Sequence, residues 1–329
     1  MTKTPTLRED TVTLSSHLAV QLHRGVVEGA LPAPENARDR ALALLTIYDL
    51  HLAPLSELGS TVDFQHHPAV AAIKASLEAS WQAELDQATT ALLGEFDDLG
   101  TPEGVRDALR DLASRDRLPE AYQWLAKRAT WSQLIHFLAL EGGPDGGFDD
   151  LVALCQVGLV GSAKLELAQN YWDEMGNGSL EAVHTVLHDD LVRAIDMPRI
   201  AREDLPLEAL ERAALPGLLA TNRRLQPELV GALGMTELQA GPRCRMVLQG
   251  LERLEAPTGA LPFYSEHAEV DPRHGNDWVT KAVMPLVADH PSWGPRILRG
   301  AACRAVTNLR LFGVAHDLAR GTYSERLAG

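Results

Sequence analysis

Apolar residues return every three or four positions through almost every segment of this chain, the spacing that gathers them on one face of an α-helix. Runs in which Val, Ile and Thr alternate with polar residues between tight hairpin turns are absent. The pattern predicts an all-α protein, with helices near 12–28, 36–52, 68–96, 102–115, 119–141, 148–175, 180–194, 206–224, 226–256, 263–289 and 294–320. Proline and glycine punctuate them: "LPAPEN" precedes the second helix, "LGTPEG" the fourth and "APTGALP" the tenth, while "EGGPDGG" follows the fifth. No repeat of roughly 30–45 residues is present, which argues against a solenoid of helical pairs. Near residue 118 the character of the segments changes. Earlier helices read as amphipathic packing elements with scattered histidines, and later ones carry Glu-Gly, Asp-Glu and His-rich stretches. An N-terminal helical layer, 1–118, and a C-terminal bundle, 119–329, are therefore expected, with room for one shared core.

Composition narrows the class of function. Thirty basic against forty-five acidic side chains give a net charge of -15, which repels phosphate backbones and anionic membrane surfaces. Neither a nucleic acid nor a membrane is expected as partner. The first ten residues are polar and mixed in charge, and no stretch approaches the roughly 18 apolar residues of a membrane span. A cytoplasmic location is the expectation. Cys155, Cys244 and Cys303 are odd in number, far apart and set in apolar sequence; they read as core residues in a reducing compartment rather than disulfide or zinc partners.

Candidate chemistry begins at "FYSEHAEVDPRHGNDW", residues 263–278. At 100° per residue, Asp271 and His274 fall at about 40° and about -20° from His267, so all three share one narrow helical face. Two imidazoles and a carboxylate with open positions suit non-heme iron. The same residues permit another reading, with Asp271 as N-cap, Pro272 as first helical residue and His267 outside the helix. A second segment, "NYWDEMGNGSLEAVH", contains Glu174 and His184. Gly176, Asn177 and Gly178 end one helix there and Ser179 is placed to cap the next, a break that lets the two side chains converge. Glu174 would occupy a last helical turn, where a carboxylate opposes the macrodipole at about 0.3–1 kcal/mol. Glu141 repeats this placement in "HFLALEGG". A shared cation would account for both, and so would helix ends that reach solvent.

Glu141, Glu174, His184, His267, Asp271 and His274 together form the inventory of a dimetal carboxylate site. Without metal, three clustered carboxylates raise one another's pKa values and resist burial. Two divalent ions remove that objection. Asp173 is placed to orient a ligand imidazole, and Glu237 in "ALGMTELQ" is a candidate additional carboxylate. Tyr171, Trp172, Phe263 and Tyr264 are candidate pocket walls, and Arg304 and Arg310 are candidates to meet a substrate carboxylate. His51, His66, His67, His136 and His188 need no metal role.

With these segments the chain resembles the heme-oxygenase-like diiron oxidases and oxygenases, the iron-containing redox enzymes, over roughly residues 120–300. The resemblance rests on Glu141 at a helix end, "YWDEMGNG" with His184, and "FYSEHAEVDPRHG". It implies a heme-oxygenase-like helical bundle with an additional N-terminal layer. It makes Glu141 the ligand from a first helix, Glu174 and His184 those from a second, and His267, Asp271 and His274 those from a third. The implied cofactors are two Fe ions cycling between Fe(II) and Fe(III), with O2 as co-substrate. The third histidine favours an N-oxygenase that converts the amine of a small molecule, an amino acid or amino-heterocycle, to a hydroxylamine or nitro product in specialised metabolism. Desaturation or C–C cleavage of an amino or fatty acid is the alternative diiron outcome, and a metal-free helical binding protein the alternative outside enzymes. The absence of a glycine-rich dinucleotide fingerprint implies a separate reductant as external electron donor. The reading leaves room for a homodimer.

Overall fold

Helix starts follow the capping signals of the sequence. The computed structural model describes residues 13–115, 119–142 and 147–321, and all regular structure among them is helical. The chain forms two compact units, Met1–Trp81 and Gln82–Gly329. The expected boundary at 118 itself lies outside the described residues.

The first unit contains α1 (Leu14–His23), α2 (Ala37–Leu52), α3 (Leu55–Leu58) and the start of α4 (Pro68–Leu93), which continues into the second. Thr13 and Asn36 cap α1 and α2 by accepting from Ser16 N and Asp39 N. Asp39 in turn accepts from the backbone N–H groups of Leu14, Ser15 and Glu35 at 3.1, 2.8 and 3.0 Å. Burial raises its pKa, yet these hydrogen bonds outweigh burial and hold the carboxyl below its ordinary range.

The second unit continues with α5 (Pro102–Arg115), α6 (Glu120–Lys127), α7 (Trp131–Glu141), α8 (Phe148–Cys155), α9 (Gly161–Glu174) and α10 (His184–Ala194). It is completed by α11 (Leu207–Ala220), α12 (Gln226–Arg253), α13 (Pro262–Asp277), α14 (Met284–Asp289) and α15 (Gly294–Arg320). Two helices expected as continuous are broken. The segment 119–141 divides where Thr130 and Gln133 form a capping box that starts α7. The segment 148–175 divides beside Gly158, whose φ of 81° no helix accepts. The expected helix 263–289 passes through a π-helical turn at Trp278–Val283.

Helix α12 is the axis of this unit, packed by α6, α13 and α15. Its backbone nearly touches that of α15: a Cβ at Gly231 would lie 1.8 Å from the Ile297 carbonyl oxygen, and one at Gly300 1.9 Å from that of Glu228. Only glycine permits so close a crossing. On its other side, a Cβ at Gly275 of α13 would meet the Glu237 carbonyl oxygen at 2.9 Å, which sets Glu237 beside His274. Tyr122, Phe137 and Phe312 pack edge to face and stacked at one end of the core. Among the described residues, no helix is long and apolar enough to cross a membrane.

Candidate metal centre

The ambiguity at residues 263–278 is resolved by where the helix begins. Pro262 occupies the first helical position, and α13 runs unbroken through Pro272. Asp271 is therefore interior to the helix, and the reading that made it an N-cap is overturned. Pro272 supplies no N–H to the Ala268 carbonyl one turn back; Arg245 Nη2 donates to that oxygen instead, at 2.7 Å. Asp271 and His274 are buried, at 2% and 4% exposure, and His267 is intermediate. The exposed Glu266 and Glu269 face away.

Helix α9 ends on Glu174, and Gly176, Asn177 and Gly178 then take φ values of 59°, 52° and 87°. A Cβ at Gly176 would fall 2.5 Å from the Ala182 carbonyl carbon, so both conformation and space demand glycine there. The reversal delivers His184 as the first residue of α10, with Val183 at the cap position rather than the expected Ser179. His184 Nδ1 then stands 2.8 Å from Glu174 Oε2, and the rings of His184 and His267 lie 4.4 Å apart.

Two donor groups result, and Glu174 belongs to both. Donor atoms of Glu174, His184 and His267 lie within 4.8 Å of one another, as do those of Glu174, Glu237 and His274. Glu237, weighed from sequence as an extra carboxylate, thus enters the second group. Asp271 stands beside them: Glu237 and Glu174 are its nearest negative neighbours. Several buried polar atoms here lack a hydrogen-bond partner, namely His184 Nδ1, His274 Nδ1 and Asp271 Oδ2. Imidazole nitrogens and carboxylate oxygens left unsatisfied around one point fit a cation that accepts their lone pairs.

Electrostatics agree with that fit. Desolvation and then the Glu174 charge push Glu237 up to about 8. Desolvation, Glu237 and Glu174 push Asp271 well above the carboxylate range. Desolvation and His184 lower His267 to about 4, which keeps it in the neutral, metal-binding form at pH 7. At His184 desolvation lowers the pKa, but the adjoining Glu174 carboxylate more than offsets this and raises it. Crowded carboxylates of this kind take up either protons or cations.

Neighbouring groups set the ring orientations. His267 Nδ1 sits 2.6 Å from the Phe263 carbonyl oxygen, which leaves Nε2 for the centre. His274 Nε2 sits 2.9 Å from Asp173 Oδ2, so Nδ1 faces Glu237, 3.7 Å away. Asp173 is itself held by Gln169 and Arg273. Replacing Asp173 by alanine should weaken metal binding at the His274 group by about 10–100-fold and spare the His184 group. Spectrophotometric Co(II) titration measures this; an alanine variant with two unchanged affinities would remove Asp173 from the role.

Glu141 closes α7 as expected but belongs to neither donor group. Its Oε1 accepts from the Tyr122 hydroxyl at 3.0 Å, and Arg212 reaches its backbone oxygen at 3.0 Å and its carboxylate at 3.8 Å. The guanidinium offsets the helix-end charge that from sequence called for a cation. Glu141, Glu174, Glu237, His184, His267 and Asp271 all line one cavity of about 360 Å³. Phe263, Tyr264 and Arg304 line it too, as does His188, to which no role was given; Trp172 is half exposed. Arg310 instead faces Glu211 at 3.6 Å. Arg212 and Arg243 also reach the cavity, and nothing in their helical sequence context distinguishes them from solvated arginines.

Comparison with curated proteins finds no match. A family model described as iron-containing redox enzyme matches residues 135–307, a stretch that contains all six expected ligands and Glu237. Because that match spans more than half of a helical chain whose buried Glu and His donors converge, the chain belongs to the family of iron-containing redox enzymes.

Proposed function

We propose that the chain is a diiron, O2-dependent N-oxygenase acting on the amine of a small molecule. The observation that carries this reading is Glu174, whose carboxylate is common to two separate donor groups, as a ligand bridging two metals must be. His184 and His267 with Glu174 would hold one iron, and His274 and Glu237 with Glu174 the other. Asp271 and Glu141, on the same cavity wall, are the further carboxylates available to them. Bound iron supplies the redox chemistry that couples O2 reduction to substrate oxidation, with electrons from a separate reductant.

The protein's own groups do the rest. The Phe263 carbonyl and the Asp173 carboxylate hold the His267 and His274 rings in fixed orientations. Neutral imidazoles limit the negative charge that buried carboxylates would otherwise concentrate. Three of them, His184, His267 and His274, favour the N-oxygenase branch. Phe263, Tyr264 and Phe312 screen the cavity from bulk water. The cavity's modest volume suits an amino acid or amino-heterocycle better than a fatty acid.

Anaerobic Fe(II) titration followed by O2 addition tests the metal reading. About two irons per chain and an oxidation transient are expected; fewer than about one iron, with no transient, would support a metal-free binding protein instead. Turnover with 18O2 over an amine panel tests the reaction type by mass spectrometry. Label on nitrogen supports N-oxygenation, whereas an alkene or shortened acid identifies the desaturating or cleaving oxidase.

A further inference from the structure

The cavity has a second chemical end. Helices α6, α7, α11 and α15 contribute Tyr122, Glu141, Arg212, Arg304, Asn308 and Phe312 to its wall. Arg243 of α12 joins this wall, its guanidinium 4.8 Å from the Phe312 ring centre and 5.7 Å from that of Tyr122. Three arginines, each no more than 6% exposed, thus border one small cavity. Arg212 is committed to Glu141 and Asn308, so its charge is balanced within the wall. Arg243 and Arg304 add positive charge beyond that pair. Arg304 Nε donates to Thr236 Oγ1 at 3.2 Å, and Thr236 precedes the metal-group residue Glu237.

Burying a guanidinium is costly, and keeping it at a cavity surface is reasonable where an anion is to be bound. Stacking on Tyr122 and Phe312 fixes the plane of Arg243, and a planar guanidinium fork matches a carboxylate in two parallel hydrogen bonds. The opposite end carries Glu174, Glu237 and Asp271, which repel an anion and attract a cationic or metal-directed group. The cavity therefore orients a dipolar molecule. Its volume corresponds to about a dozen waters at ~30 Å³ each, which bounds the occupant to a small molecule.

We propose that Arg243 and Arg304 form a carboxylate-binding subsite that anchors a small amino acid and turns its amine towards the His and carboxylate cluster. This deepens the N-oxygenase reading and rests on it for the fate of the amine, though not for binding of the acid. Isothermal titration calorimetry on the full-length, Fe(II)-loaded protein under anaerobic conditions tests it. The probes are glycine, 4-aminobutanoate, 6-aminohexanoate and 4-aminobenzoate, each with its carboxamide. At least one acid should bind at least tenfold more tightly than its amide, a difference of about 1.4 kcal/mol. Arg243→Lys and Arg304→Lys, which keep the charge but lose the fork, should each abolish that preference.

No acid preferred over its amide in the wild-type protein overturns the proposal, whatever the variants do. So does an unchanged preference in both variants when their melting temperature and iron content match wild type. Iron measured on the same samples separates the two readings. Full iron without acid preference overturns the subsite alone, whereas acid preference in a chain holding less than about one iron overturns the diiron reading and leaves the subsite standing.

Discussion

Glu174→Ala is expected to empty both metal positions at once. Its carboxylate serves two donor groups, so no other single ligand substitution should have so large an effect. Loss of a supporting residue outside the ligand set already costs about 10–100-fold in metal affinity. Loss of a shared ligand should therefore cost at least about 100-fold at each position. His184→Ala, by contrast, removes a donor from one group, and Glu237→Ala from the other; each should leave about one iron per chain. Iron per folded chain after anaerobic loading and desalting is the measurement. Glu174→Gln, nearly isosteric, controls for packing at a residue only 5% exposed. An alanine variant that retains two irons, or a His184→Ala variant that loses both, would sink the shared-carboxylate arrangement.

Metal removal should make stability fall as pH rises through neutrality. In the folded, metal-free chain Glu237 titrates near 8 against an ordinary 4.5, so between those values the folded state holds a proton that the unfolded state has released. Stability then falls with rising pH, by at most about 1.4 kcal/mol per unit. Asp271, also raised, acts in the same sense. So does His184, whose raised pKa gives stability that is present below 6.5 and lost above its folded value. His267 opposes them: lowered to about 4 from 6.5, it makes stability rise with pH across that interval. The opposing trend is complete by about 6.5, which leaves the fall unmasked between about 6.5 and 8. Over that window the loss should be on the order of 2 kcal/mol. With metal bound the sign reverses, because the ligands must be deprotonated and protons compete with the ion. Calorimetric melting at pH 6.5, 7.2 and 8, with chelator and with redox-stable Mn(II), measures both trends. A chelated protein whose melting temperature does not decline over this range would contradict the buried carboxylate cluster.

Much of the centre is legible in the residues themselves. The spacing of His267, Asp271 and His274 requires only that the chain be helical there, and the glycines after Glu174 announce a reversal that any backbone model must respect. Helix-end carboxylates at 141 and 174 are likewise visible as local anomalies. Such features depend on neighbours within about ten residues, and for those the backbone's few allowed conformations make sequence a sufficient guide. Asp271-Pro272 shows where that stops. A cap and an interior turn have the same local sequence, and the choice fell to Pro262 starting the helix earlier and to Arg245, far along the chain, satisfying the carbonyl that Pro272 strands.

What the sequence by itself determined is the class: an all-helical, acidic chain with a Glu, His and Asp set at spacings that suit iron. Tertiary structure alone decided how the donors divide. It brought Glu237 of α12 against His274 through the close approach at Gly275, and gave Glu174 to both groups. It supplied Glu141 with a guanidinium and a phenol from α11 and α6. It also turned Arg243 and Arg304 from undistinguished positions on amphipathic helices into one wall of the cavity. The physical reason is common to all of these: helical periodicity reports which face a side chain occupies, whereas its partner is set by the crossing of two helices. That crossing depends on glycine contacts between residues dozens of positions apart.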